Sequence, residues 1–422
     1  MVRRYSLVPI ALAMLCASMC VAADTTEWPN WRGPFGNGVA PKGTYPTEWS
    51  PEQNIAWQVE LSGRGASTPA VAGDRLFVTS ADEQSNLLQA YRLDGQQLWS
   101  VPIGKPRAGK HKKATGSNSS PITDGEFVVA YFKSGDIACC RVSGEIIWQV
   151  NLQAEYGEDT LWWDLGTSPV FTEKCVVVAV MQSGPSSLLA LDRNTGKMLW
   201  QANRELPAPE EANQSYSTPI VAQLNDQEVL LTLGADHLTC HAASSGKLLW
   251  KLGGFNPKQE RFFRSIASPV LAGQLVICPY ARGNSLTAVR LMAKSDDDRI
   301  AWQRTDLGSD VPTPTISGGR LYVVGDKGML WCLDPETGAT LWEEQLPKSR
   351  HAFSSSPIVA GGNIYITRED ATTFVVKDGP KFELLATNTL TGSTVATPVF
   401  AHDRLFLRTY DVLYCIDSAK TK

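Results

Sequence analysis

Three residues of this chain have the look of a metal site: His237, Cys240 and His241. On a strand, positions 237 and 241 share one face and 240 points to the other, so this stretch cannot supply three convergent ligands. A packed or exposed pair is expected, and no metal. His111, His351 and His402 stand alone. No Ser/His/Asp arrangement, phosphate-binding loop or glycosidase carboxylate pair stands out among the 43 acidic residues. Cys139 and Cys140 are adjacent, a pair that could form a strained disulfide in an oxidising compartment. One short stretch holds Lys105, Arg107, Lys110, Lys112 and Lys113, a local positive cluster in a chain of net charge -4. The overall balance gives no electrostatic reason to expect nucleic acid.

The chain has 422 residues, 34 Gly and 25 Pro, spread as many turns would need. Arg3 and Arg4 precede an apolar run from Leu7 to Ala17, too short to span a bilayer, and Val21-Ala22-Ala23 offers small residues for cleavage. Residues 1–23 are therefore expected to be a signal peptide, and the mature protein periplasmic or secreted. Cys16 and Cys20 follow Leu15 and Met19, where a lipid-attachment site would want a small residue. No other segment is apolar for long enough to span a membrane as a helix. Cysteines 139, 140, 175, 240, 278, 332 and 415 remain, an odd number in a chain large enough to fold without staples.

The elements that must position these groups repeat. Ser-Pro or Thr-Pro opens an apolar strand eight times, at Pro69, Pro121, Pro169, Pro219, Pro269, Pro314, Pro357 and Pro398. Successive gaps are 52, 48, 50, 50, 45, 43 and 41 residues. A turn and a tryptophan follow, as in LALDRNTGKMLWQ, with Trp99, Trp148, Trp200, Trp250, Trp302 and Trp342 in this place. Proline tolerates the first position of a strand, and the Asp, Thr and Gly of the turn suit its backbone. A four-stranded unit cannot bury both faces alone, so copies must stack, and a closed ring leaves no long edge. The last repeat stops after LYCID, while Asn54 to Glu60, with Trp57, forms a spare strand at the other end. An all-β, eight-bladed propeller of four-stranded antiparallel blades follows, closed by the N-terminal strand in the last blade. Residues 24–53 form a lead-in and 54–422 the propeller. Repeat seven is the weakest, with Leu385 near the tryptophan position.

Ala190, Asp192, Thr195, Gly196 and Trp200 resemble the docking motif of the pyrroloquinoline quinone (PQQ) repeat propellers, and Cys332, Asp334, Thr337, Gly338 and Trp342 match with Cys for Ala. The resemblance covers nearly all of the expected mature chain. It implies that each indole packs between adjacent blades, and that Cys139, Cys240, Cys332 and Cys415 fill the slot held elsewhere by Ala90, Ala190 or Ala288. A free Cys there serves as a small apolar side chain. The segment WPNWRGPFGNGVAP, from Trp28, resembles one found ahead of the repeats in many secreted bacterial propellers of this type. It either tucks Trp28 and Trp31 against the propeller or is an ordered lead-in.

In such propellers the segments before each Ser/Thr-Pro line one mouth of the central channel. Here they carry His111, Lys112, Lys113, Asn118, Trp163, Asp164, Tyr216, Arg264, Asp310 and His351, groups suited to a polar ligand or peptide, with a solvated rim as the plainer alternative. The segments before Pro121, Pro169, Pro219 and Pro269 are the longest and should rise highest. The resemblance implies two functions. One is a non-catalytic, exported binding or scaffolding propeller similar to the BamB outer-membrane assembly factors, monomeric, with an envelope protein or polar ligand as partner and no cofactor. The other is a quinoprotein dehydrogenase needing PQQ, Ca²⁺ and a base carboxylate. Against it stand the short connections, the absence of a Cys-x-x-Cys-His motif, and vicinal cysteines within the docking strand, where the family's alcohol dehydrogenases have theirs beside the cofactor. A glycan-binding role, with Trp162, Trp163 and Tyr216 as stacking platforms, is a third.

Overall fold

Each Ser/Thr-Pro opens a short inner strand, because proline presets the entry and its missing N–H falls where no ladder bond is needed. In the first blade the strand Ala70–Ala72 is followed by Arg75–Ala81, Asn86–Arg92 and Gln97–Pro102, paired antiparallel in that order. The same order recurs through a computed structural model that describes residues 26–418 and holds eight four-stranded sheets. Residues 1–23, with the expected signal peptide, lie outside the described residues. The eighth sheet joins Val399–Ala401, Arg404–Arg408 and Val412–Ile416 to the N-terminal strand Ile55–Glu60. Trp57 lies opposite Cys415 in that pairing, so the first strand completes the last blade.

Register explains the cysteines. Cys139 faces Trp148, Cys240 faces Trp250 and Cys332 faces Trp342, as Ala90 faces Trp99, Ala190 faces Trp200 and Ala288 faces Trp302. All are buried. Cys139 and Cys140 are free thiols in separate hydrophobic clusters, on opposite faces of one strand. Burial pushes both thiols up to about 12.

Each tryptophan couples its blade to the next. The indole N–H of Trp57 donates to the Leu93 carbonyl at 2.9 Å, that of Trp148 to Arg193 at 2.8 Å and that of Trp200 to Ala243 at 3.1 Å. Trp99, Trp302 and Trp342 bond Val142, Pro335 and Gly379 in the same way. Beneath the rings of Trp57, Trp99, Trp148, Trp200 and Trp302 lies the turn glycine of the following blade. Gly246 has φ of +69°, and a Cβ there would come within 2.4 Å of the Trp200 ring. Only glycine fits both the backbone and the contact. Trp250 departs from this scheme. The turn it meets contains Arg299, whose guanidinium lies 4.1 Å from the ring centroid, and its indole N–H is buried without a partner.

In blade seven the tryptophan slot is held by Ala386, opposite Val375, one residue beyond Leu385. The lead-in supplies the missing aromatics. Trp49 stacks on Tyr365, Tyr45 meets Phe400 edge-on, and Ala386 packs against the cluster that includes both. Trp28 is fully buried and pairs through its backbone with Val71. Of the two dispositions open to this segment, Trp28 adopts the tucked one.

Candidate functional site at the channel mouth

The residue before each proline builds the waist of the channel. The Thr68 N–H donates to the Ser120 hydroxyl at 3.0 Å, Ser120 to Ser168 at 3.0 Å, Ser168 to Thr218 at 3.0 Å and Thr218 to Ser268 at 2.9 Å. Ser268 donates to Thr313 at 2.9 Å, Thr313 to Ser356 at 3.0 Å, Ser356 to Thr397 at 3.2 Å and Thr397 back to Thr68 at 3.0 Å. Every blade thus gives one backbone N–H to the next blade's hydroxyl, and the circle closes. A buried N–H left without an acceptor costs about 1–3 kcal/mol, which is why Ser or Thr and not Ala precedes each proline.

Above the waist lies a cavity of about 400 Å³, floored by half-buried Trp31 of the lead-in. Seven of the ten expected site residues line it: His111, Lys113, Asn118, Trp163, Asp164, Tyr216 and Arg264. Lys112 and His351, with Lys113 and Arg350, line an adjoining recess of about 430 Å³. Asp310 sits behind the wall, paired to Arg264 at 3.0 Å.

The charges are not those of a free rim. Arg264 is nine-tenths buried, held between Asp310 and Glu211, and its Nη1 has no partner. Asp164 is buried, 3.0 Å from the Nζ of Lys133, and accepts from Asn118 at 3.1 Å. The basic cluster is largely answered from within the chain: Arg107 pairs with Glu158 at 3.0 Å, Lys110 with Asp159 at 3.7 Å and Lys113 with Glu369 at 2.5 Å. Lys113 thereby reaches across the mouth to blade seven, and Tyr410 bonds its carbonyl at 3.2 Å. Lys112, Arg282 and Arg350 are exposed and make no ion pair among the described residues. Burial, then Lys113 and Lys112, push the His111 imidazole below its ordinary range, so it is neutral near pH 7. Burial raises Asp310 and, with the Asp310 charge beside it, lifts Asp326 to about 6.

Aromatics crown the loops before Pro169 and Pro269. Trp162, Trp163 and Phe262 are 47%, 41% and 45% exposed, and Trp162 lies 6.4 Å from Phe262. Trp163 meets His111 edge-on at 5.3 Å and donates its N–H to Glu211. Sequence reasoning missed Lys133, Glu211, Arg282 and Glu369. Lys133, Arg282 and Glu369 stand in turns within a blade, outside the segments before the prolines, so no local spacing ties them to the mouth; Glu211 lies in the segment before Pro219, five residues ahead of Tyr216, and that position could have marked it.

The donor set does not suit calcium. Asp164, the carboxylate facing the cavity, already holds Lys133, and Asp310 behind the wall holds Arg264. No group of three or more His, Cys, Asp or Glu placed to hold a metal occurs among the described residues. His237 is half-buried against its own turn, and burial pushes buried His241 down to about 4.

A sequence profile described as outer membrane protein assembly factor BamB, of the PQQ-repeat type, matches residues 48–185, 141–292 and 291–394. The chain belongs to this family. BamB of Burkholderia pseudomallei (strain K96243) is 22% identical over 283 residues, 64% of this chain and 65% of that protein. BamB of Yersinia pestis is 23% identical over 81% of each chain. The chain thus spans just under two thirds of the Burkholderia relative's length and more of the Yersinia one. Among solved structures, BamB of Moraxella catarrhalis superposes with a TM-score of 0.64 at 15% identity, covering 86% of this chain and 99% of that one. The quinohemoprotein alcohol dehydrogenase of Comamonas testosteroni gives 0.70 at 11% identity, covering 95% and 82%. At these identities the likeness of both is one of fold. No helix among the described residues of this BamB-type propeller is long and apolar enough to cross a membrane.

Proposed function

We propose that this BamB-type chain is a non-catalytic binding propeller of the cell envelope, which takes a polar segment of a protein partner at the mouth built by the loops before Pro121, Pro169 and Pro269. The observation that carries this reading is the pairing of exposed aromatics with free cations around a floored cavity. Trp162, Trp163 and Phe262 stand on one side, and Lys112, Arg282 and Arg350 offer charge that no carboxylate pairs with among the described residues. Aromatic and arginine side chains in such a setting are the usual anchors of protein recognition. A segment carrying carboxylates beside an apolar side chain would match both features, and its capture should weaken with salt.

The test is capture from envelope extract by two surface variants, Trp162→Ala with Phe262→Ala, and Lys112→Ala with Arg282→Ala and Arg350→Ala. Both should lose the partner while keeping the wild-type melting temperature, because exposed side chains add little stability. Arg264 is unsuitable for this purpose, since its loss would strand Asp310 and Glu211. Capture that survives both variants would remove the mouth from consideration. The dehydrogenase alternative has a separate test. Saturable PQQ binding with Ca²⁺ and dye-linked alcohol oxidation would overturn the non-catalytic reading.

A further inference from the structure

At the opposite end of the channel, the lead-in covers half of the opening and leaves the other half bare. The second residue after each inner-strand proline turns its backbone edge toward that opening. In blade one Val71 exchanges both hydrogen bonds with Trp28, at 3.0 and 2.7 Å. In blade two the Thr123 N–H donates to Pro29 at 2.9 Å. In blade seven Val359 donates to Gly38 at 2.9 Å and accepts from Ala40 at 2.8 Å. The lead-in is therefore an extended segment added to inner-strand edges, and the residues beneath it are buried: Val71, Thr123, Val359 and, in blade eight, Phe400.

Blades three, four and five present the same position without a cover. Phe171 pairs with Val176, Val221 with Leu230 and Leu271 with Val276, the register in which Val71 pairs with Leu76. Phe171, Val221 and Leu271 are half-buried, and no other backbone segment bonds their outward edges among the described residues. They wall a trough of about 390 Å³, together with Pro169, Pro219, Pro269 and Phe35 of the lead-in. Phe35 is 46% exposed. The charges at its border are spent: Asp124 pairs with Arg193, and Arg32 is buried among the carbonyls of Asn37, Pro314 and Pro357.

We infer that this trough is a second binding site, which takes an extended, uncharged, apolar segment of a partner protein by adding it to the inner-strand edges of blades three to five. Main-chain bonds would supply affinity and the apolar walls would select side chains, as in other cases of strand addition. The occupant is expected to resemble the lead-in, which already pairs in this way on the neighbouring blades, with aromatic or aliphatic residues spaced by Gly and Pro. The site is distinct from the aromatic and cationic mouth and lies on the far side of Trp31.

A synthetic peptide copying residues 27–40 with Glu27→Gln and Arg32→Gln, so that its side chains carry no charge, is fluorescently labelled and serves as the probe on the full chain. Saturable binding is expected. The double change Val221→Lys with Leu271→Lys should weaken it by about tenfold or more. Val221→Pro should weaken it too, because proline there removes an outward N–H and no ladder bond. Hydrogen exchange should show new protection at residues 170–171, 220–224 and 270–272. Absence of binding, or binding indifferent to these substitutions, overturns the proposal. So does protection lost at Val71 and Val359, which would mean that the peptide displaces the lead-in. A dimer formed by the protein without peptide, broken by the same substitutions, overturns it in favour of a second copy as the occupant.

Discussion

Ser268→Ala removes one hydroxyl from the closed circle at the channel waist. The Thr218 N–H, now 2.9 Å from that hydroxyl, would lose its acceptor. Both residues are buried, and the N–H of Ser268 itself would still reach Thr313. An orphaned buried donor costs about 1–3 kcal/mol. The circle borders the cavity floored by Trp31, so a water can enter the space left by the hydroxyl. The expected loss is therefore in the lower part of that range, about 1–2 kcal/mol. Ser120→Ala strips the Thr68 N–H of its acceptor in the same way, three blades away. The two sites share no partner, so the double variant should lose about 2–4 kcal/mol, a large part of the roughly 5–15 kcal/mol typical of a folded domain. Ser268→Thr is the control. Four positions of the circle already hold Thr, so the hydroxyl is kept in a place that accepts the extra methyl. The assay is urea unfolding, read as a fall in midpoint at constant slope. An unchanged midpoint for Ser268→Ala, or a loss as large for Ser268→Thr, would refute the claim that these bonds hold the blades together.

Deleting Asn54 to Glu60 bares the edge of Val412–Ile416 in blade eight, so a loss of several kcal/mol and aggregation are expected; an unchanged melting temperature would contradict closure by this strand. Gly246→Ala forces a side chain into positive φ and against the Trp200 ring, and should cost about 2–4 kcal/mol in urea unfolding. Arg299→Ala removes a buried cation from over Trp250 and should cost about 2 kcal/mol in urea unfolding, because the guanidinium is desolvated. Acidification acts on two groups, half-buried Asp326 and buried His241, with opposite signs. Asp326 titrates near 6 in the folded chain, above its unfolded value of about 3.9, so the folded state binds its proton more readily and stability rises as pH falls through that window. His241 titrates near 4 when folded, below its unfolded value of about 6.5, so stability falls over nearly the same range. The wild-type melting temperature should change little on their account, whereas Asp326→Asn should be more stable near neutrality and should melt progressively lower as pH falls.

The eight Ser/Thr-Pro starts, the turns and the tryptophans were legible in the sequence because strands, tight turns and their glycines are set by residues within about ten positions of each other. Ring closure was legible for a related reason: an incomplete repeat at one end and a spare strand at the other have one economical solution. Seven of the ten expected residues line one cavity because the repeat told which segments meet at the mouth. What the repeat did not tell was how charge is shared there. The run from Lys105 to Lys113 reads as free positive charge, yet Glu158, Asp159 and Glu369 answer most of it, and Glu369 comes from a blade on the other side of the ring. Arg264 reads as a rim charge and is instead buried between Asp310 and Glu211.

The sequence by itself determined the eightfold plan, the strand that closes it and the small residues under each indole, since local periodicity carries that information. Only the tertiary structure decided that eight backbone N–H groups, 41 to 52 residues apart along most of the chain, each reach the hydroxyl of the next blade in a closed circle, and that the lead-in covers one half of the far opening. Both depend on bringing the two ends of the chain together. A hydroxyl's partner and an edge's cover are fixed by where the ring places them, and no spacing along the chain encodes it.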